Sequence, residues 1–144
     1  MNPIIKIKEN KYDTLLIHPN AYEEKAMISK TLFDVKYNNL KDTFIIEDDN
    51  PTYEFIKDNE NIFNLLEEVK SSLNKHFSNE KYYLEVRCYP EIYENELTLI
   101  IKVDYSKEEI EKLNERLTAV FLEINDYKIE LGLLGKFYLT MDAI

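Results

Sequence analysis

The stretch Tyr82–Tyr105, YYLEVRCYPEIYENELTLIIKVDY, restricts the fold of this chain more than any other. Tyr82, Leu84, Val86 and Cys88 alternate with Tyr83, Glu85, Arg87 and Tyr89, so the first set points to one side of a strand and the second to the other. Pro90 ends that run. Leu97, Leu99, Ile101, Val103 and Tyr105 then repeat the apolar alternation against Glu96, Thr98, Ile100, Lys102 and Asp104. Two adjacent strands, each with one core face and one mixed face, are expected of an antiparallel pair covered on a single side.

Helical spacing flanks this pair. Upstream, Ile62, Leu65, Leu66, Val69, Leu73 and Phe77 form one stripe. Downstream, Ser106-Lys107-Glu108-Glu109 reads as a capping box that opens a helix carrying Ile110, Leu113, Leu117, Val120, Phe121 and Ile124 as far as Asn125-Asp126. Lys128–Leu131 reads as a short strand, Gly132 and Gly135 as a turn or bulge, and Lys136–Asp142 alternates again. Thr43–Glu47 is a compact β-rich run, followed by a turn and a helical turn over 52–57 that Asn50 and Pro51 would open.

From residue 43 the order is strand, helix, strand, strand, helix, strand. This predicts a ferredoxin-like βαββαβ core in an α+β domain: an antiparallel sheet with two helices on one face. The rival is a three-stranded sheet in which residues 43–47 pair elsewhere. Residues 1–41 read as an N-terminal β/α elaboration of a single domain spanning 1–144. It contains an alternating run at 4–8, an apolar run at 14–17 closed by Pro19, and a helix from Ala21 with Asn20 as its cap. Ala21, Ile28, Leu32 and Val35 share one face of that helix, with Met27 and Phe33 off it.

The succession Leu84-Glu85-Val86, Pro90-Glu91, Ser106 with Glu108-Glu109, and Gly135-Lys136 resembles a loose group of small acidic prokaryotic α+β proteins of unknown function, over residues of about 60–144. The resemblance implies a fold and no activity, and no functional residue carries over. The chain departs from that group in its additional N-terminal third and in lacking tryptophan after the second helix.

Charge excludes more than it assigns. With 28 acidic against 18 basic residues the net charge is −10, and binding a phosphate backbone relies on cations that displace counterions. Nucleic acid and anionic membrane are therefore disfavoured partners. The apolar runs are far shorter than the roughly 20 residues that cross a bilayer, and the N-terminus lacks a signal-peptide pattern; a cytoplasmic protein is expected. Cys88 is the single cysteine, so no internal disulfide or multi-cysteine metal site is possible, and its place on the core face predicts a buried thiol. Two glycines cannot build a phosphate-cradling loop, a dinucleotide fingerprint or a nucleophile elbow. His18 and His76 lack partners at metal-ligand spacing, and Asp48-Asp49 reads as a solvated turn.

No catalytic, cofactor-binding or metal residue is assigned. The expected function is that of a non-enzymatic acidic interaction module, of the antitoxin or immunity type that neutralises a basic partner. Its candidate surface is the mixed sheet face with Tyr83, Arg87, Tyr89, Lys102 and Tyr138, because tyrosine and arginine are enriched in interface hot spots. The partner would be another protein or a second copy. The alternative is a small-molecule-binding or enzymatic domain with a pocket between the sheet and the N-terminal segment.

Overall fold

The structure is a computed structural model that describes residues 21–144. The expected N-terminal strands, the Asn20 cap and His18 lie outside the described residues. The chain clusters into two compact units, Met1–Val35 and Lys36–Ile144.

Of the first unit, the described part belongs to α1 (Ala21–Leu40). The helix runs from Ala21, the first described residue. However, the face expected to be apolar and covered is open, with Ile28, Leu32 and Val35 all more than half exposed, and the buried residue is Phe33.

The second unit takes the last turn of α1 from Lys36 onward and then runs β1 (Phe44–Ile45), α2 (Asp49–Asp58), α3 (Ile62–His76), β2 (Lys81–Tyr89), β3 (Glu94–Val103), α4 (Ile110–Glu130) and β4 (Phe137–Ala143). Local chemistry accounts for most of these boundaries. Pro51 sits third in α2, inside the first turn, where its missing N–H is one that no helical carbonyl would have accepted. The α3 stripe is buried as its spacing predicts. Asn79, at φ 63°, turns the chain toward β2, a conformation asparagine tolerates better than most residues.

The fold is α+β, but the ferredoxin-like expectation is wrong. The four strands lie in the order β1-β2-β3-β4 in a mixed sheet. β1 runs parallel to β2, β2 antiparallel to β3, and β3 parallel to β4. In a ferredoxin-like sheet each crossover returns to a strand one place removed, leaving a slot that another strand fills. Here both crossovers return to the adjacent position. The reason lies in strand length: β1 has only two residues, too few to pair on both sides in the middle of a sheet. The central positions go to β2 and β3, nine and ten residues long, joined by the four-residue loop Pro90–Tyr93. There are four helices among the described residues, not two over one sheet face, and α3 and α4 pack against each other. The rival three-stranded arrangement also fails, since residues 44–45 pair within the same sheet.

Register preserves the expected faces. Leu84, Leu99 and Leu139 are cross-strand neighbours, as are Val86, Leu97 and Phe137. Leu97 through Ile101 are all buried, so β3 is covered on both faces and not on the single side expected. Cys88 departs from expectation: it lies on the core side by parity but is exposed, because it pairs with Asn95 at the loop end of the hairpin, beyond the covered part of the sheet.

Two further expectations fail around α4. Ser106 is not the helix cap; its N–H and hydroxyl both donate to Asp104 Oδ1, at 3.0 and 2.6 Å, closing a local turn. The helix opens at Ile110 after Glu109. At the other end, residues 128–130 continue the helix instead of forming a strand. Lys128 is buried, and its ammonium donates to the Phe137 carbonyl at 3.3 Å, tying α4 to β4. Gly132 at φ 72° ends the helix in a Schellman motif: Gly132 N–H donates to Ile129 O and Leu133 N–H to Lys128 O.

A Cβ at Gly132 would meet nothing within 4 Å, so Gly132→Ala carries only the backbone penalty of the left-handed conformation. It should cost about 1 kcal/mol, read as a lower urea midpoint with an unchanged slope.

Candidate functional site

The sheet brings the five expected residues onto one face. Tyr83, Arg87 and Tyr89 share one face of β2 with Glu85 among them, Lys102 stands on β3 and Tyr138 on β4. Across this face run the rows Glu85–Thr98–Tyr138 and Tyr83–Ile100–Thr140. Thr98 and Ile100, in the middle of both, are buried.

Its charges are matched within the face. Arg87 Nε donates to Glu85 Oε2 at 2.9 Å, and that carboxylate raises the guanidinium further above its usual range. Tyr89 donates to Glu96 at 3.2 Å. Lys102 pairs with Asp142 at 3.4 Å and lies 5.6 Å from the Tyr83 ring centroid. Among the described residues the patch therefore offers no uncommitted cation. What it presents outward is Tyr138, about half exposed, and Tyr89.

The outer side of α4 has the opposite character, and sequence reading did not find it. Helical spacing sets Glu111, Glu115, Leu122, Asp126 and Ile129 along one side of the helix, away from the buried residues Leu113, Val120, Ile124 and Lys128. Leu122 is 67% exposed and Ile129 54%. Glu111, Glu115 and Asp126 make no hydrogen bond or ion pair among the described residues. Arg116, on another side of the helix, is held by Glu108 at 3.0 Å. The sequence carried a signal: Leu122 and Ile129 are seven residues apart, off the core stripe and among acids. Ending the helix at Asp126 removed Ile129 from that pattern.

The remaining polar clusters are already committed. Glu123 reaches from α4 to α3, accepting from Ser72 Oγ at 2.7 Å and Lys75 Nζ at 3.2 Å, with His76 Nε2 at 2.8 Å. These contacts, His76 first, hold its carboxyl at about 2. Although a serine, a histidine and a glutamate meet here, the serine donates to the carboxylate and not to the imidazole, so no base faces its hydroxyl. The cluster is a clasp between two helices. Asp49 likewise accepts from the Tyr37 hydroxyl at 2.6 Å and pairs with Lys41 at 3.2 Å. Those contacts hold Asp49 below the usual carboxylate range, while burial and then Asp49 push the Tyr37 phenol well up. Asp48-Asp49 thus joins the end of α1 to the start of α2 through Asp49. Among the described residues no three histidine, cysteine or acidic side chains gather as a metal site, and no helix is long and apolar enough to cross a membrane.

The clasp makes stability depend on acid. A carboxyl whose folded value lies near 2 against an ordinary 4.5 contributes its full stabilisation above about pH 4.5 and loses it as pH falls toward 2. Glu123→Gln should abolish that part of the acid sensitivity, so thermal melts of variant and parent should converge as pH drops from 5 to about 2. Comparison with known proteins finds no matching family model, no similar curated protein and no similar solved structure.

Proposed function

We propose that this protein is a non-enzymatic interaction module that binds a basic protein through the outer face of α4, neutralising it in the manner of an antitoxin or immunity protein in the cytoplasm. The observation that supports this reading is the pairing of three uncommitted carboxylates, Glu111, Glu115 and Asp126, with two exposed aliphatic side chains, Leu122 and Ile129. An aliphatic side chain left in water among free charges gains by burial against a partner. The surrounding carboxylates select a partner of opposite sign and speed its approach. The spacing matches an amphipathic basic helix laid alongside, with apolar anchors meeting Leu122 and Ile129 and lysines or arginines meeting the acids.

The tyrosine patch of the sheet, with Tyr83, Arg87, Tyr89, Lys102 and Tyr138, is the second contact surface in this reading. Its internally matched charges suit a partner recognised by shape and aromatic contact more than by net charge.

The test places a photo-crosslinking residue at position 122 and, as a control, at exposed Tyr93. The protein captured through position 122 should be basic. Its affinity should fall at least tenfold when Glu111, Glu115 and Asp126 are all changed to lysine, and should weaken steeply with salt. Affinity indifferent to both the charge reversal and Leu122→Ala, in a variant with unchanged circular dichroism, would refute the assignment of α4. A chain that retains no protein partner at all would refute the interaction reading itself.

A further inference from the structure

A concavity of about 210 Å³ opens between the last turn of α1, the entry to β1 and the first half of α3. Its floor is apolar: Phe44 and Leu66 are almost fully buried beneath it, and Phe63 forms one wall. Its rim is polar and cationic. Lys36 stands with Nζ 5.8 Å from the Phe63 ring centroid, and Lys70 reaches the rim from α3. Lys36 and Lys70 make no ion pair or hydrogen bond among the described residues, and the amide side chains of Asn39 and Asn64 are equally uncommitted. Among the described residues Glu67 is the single acid on the rim.

In a chain of net charge −10, two free lysines against one carboxylate over an aromatic floor are an unusual concentration. Elsewhere in this unit Lys41, Lys75, Arg87, Lys102 and Arg116 are held by acids, and Lys57, Lys81, Lys107, Lys112 and Lys136 stand unpaired among the described residues; what sets Lys36 and Lys70 apart is that both line one concavity beside an aromatic ring. We infer that this cavity binds a small aromatic carboxylate, its ring against the half-buried Phe63 and Leu40 and its anionic end between Lys36 and Lys70.

Size selects the class of ligand. An apolar cavity of about 150 Å³ accepts a benzene ring, and drug-sized ligands need about 300 Å³ or more. A space of about 210 Å³ therefore suits one ring with a short carboxylate arm. A purely inorganic anion would leave the Phe63 wall wet, and a neutral aromatic would leave both ammonium groups unanswered. The asparagine amides donate to the same carboxylate, as donors and cations around a carboxylate commonly do. The site is separate from α4's outer face, so its success or failure does not bear on the partner proposed above.

Phenylacetate is the probe, titrated into the intact chain and followed by amide chemical shifts. Saturable shifts should be confined to residues 36–44 and 63–70. Its methyl ester should bind about tenfold more weakly, and Lys36→Gln with Lys70→Gln should impose a similar loss on phenylacetate but not on the ester. Inorganic phosphate at equal concentration should not displace it. Both lysines are exposed, so the double variant should melt with the parent, which separates lost binding from lost folding. No saturable shift with phenylacetate, shifts centred elsewhere, equal binding of acid and ester, or displacement by phosphate would each overturn the inference.

Discussion

Burial of β3 on both faces is the constraint to which the rest of the second unit conforms. Five consecutive residues, Leu97 to Ile101, lie away from solvent, which requires a strand paired on both edges and covered on both sides. β2 supplies one edge through the hairpin. β4 supplies the other after α4 has crossed over, and the Lys128 ammonium reaching the Phe137 carbonyl sets that helix against the incoming strand. Burial lowers the pKa of that ammonium, with Glu96 acting in the opposite sense, so an apolar setting is tolerated there for what the contact organises. The Gly132 turn and the Leu133 side chain, almost wholly buried, complete the return.

How much of this was legible depends on the range of the interaction involved. Alternation within Tyr82–Val103 identifies both strands and their faces, because side-chain period is a property of the strand itself. The α3 stripe and the positive-φ glycines are equally local. Strand order is not local. Residues 44–45 and 137–143 have the composition of strands whichever neighbours they take, and what decided between arrangements was the shortness of β1, which strips of β-branched and aromatic residues such as Thr43–Glu47 do not reveal. Lys128–Leu131 shows the opposite failure: Ile129 and Leu131 alternate with charges, yet the segment remains helical because Lys128 finds a carbonyl and Gly132 provides the terminus one turn later. The spacing at Ser106 predicts a helix cap, whereas Asp104, two residues before it, takes both the serine N–H and its hydroxyl.

The same division holds for function. The five-residue sheet patch was readable as a set, since parity alone puts Tyr83, Arg87 and Tyr89 together. That its cations are consumed by Glu85 and Asp142 depends on side-chain geometry. Likewise, that the carboxylates of α4 and the lysines beside Phe63 stand unpaired is a matter of side-chain geometry, which spacing along the chain does not give. In a chain so rich in acid, composition says little; which charges remain unpaired says more. An acidic helix face and a small cationic cavity on one unit would let the protein engage two chemically opposite ligands without either competing for the same surface.

The parallel pairing of β3 with β4 separates this sheet from the antiparallel alternative and fixes the direction of α4 and thus its exposed side. Interstrand nuclear Overhauser effects in the isotopically labelled protein test it directly. Parallel strands give amide-to-Hα contacts linking residues 97–103 to 137–143, with Leu99 beside Leu139 and Ile101 beside Met141. Contacts that instead ran antiparallel, or that placed residues 137–143 beside Phe44 and Ile45, would contradict it.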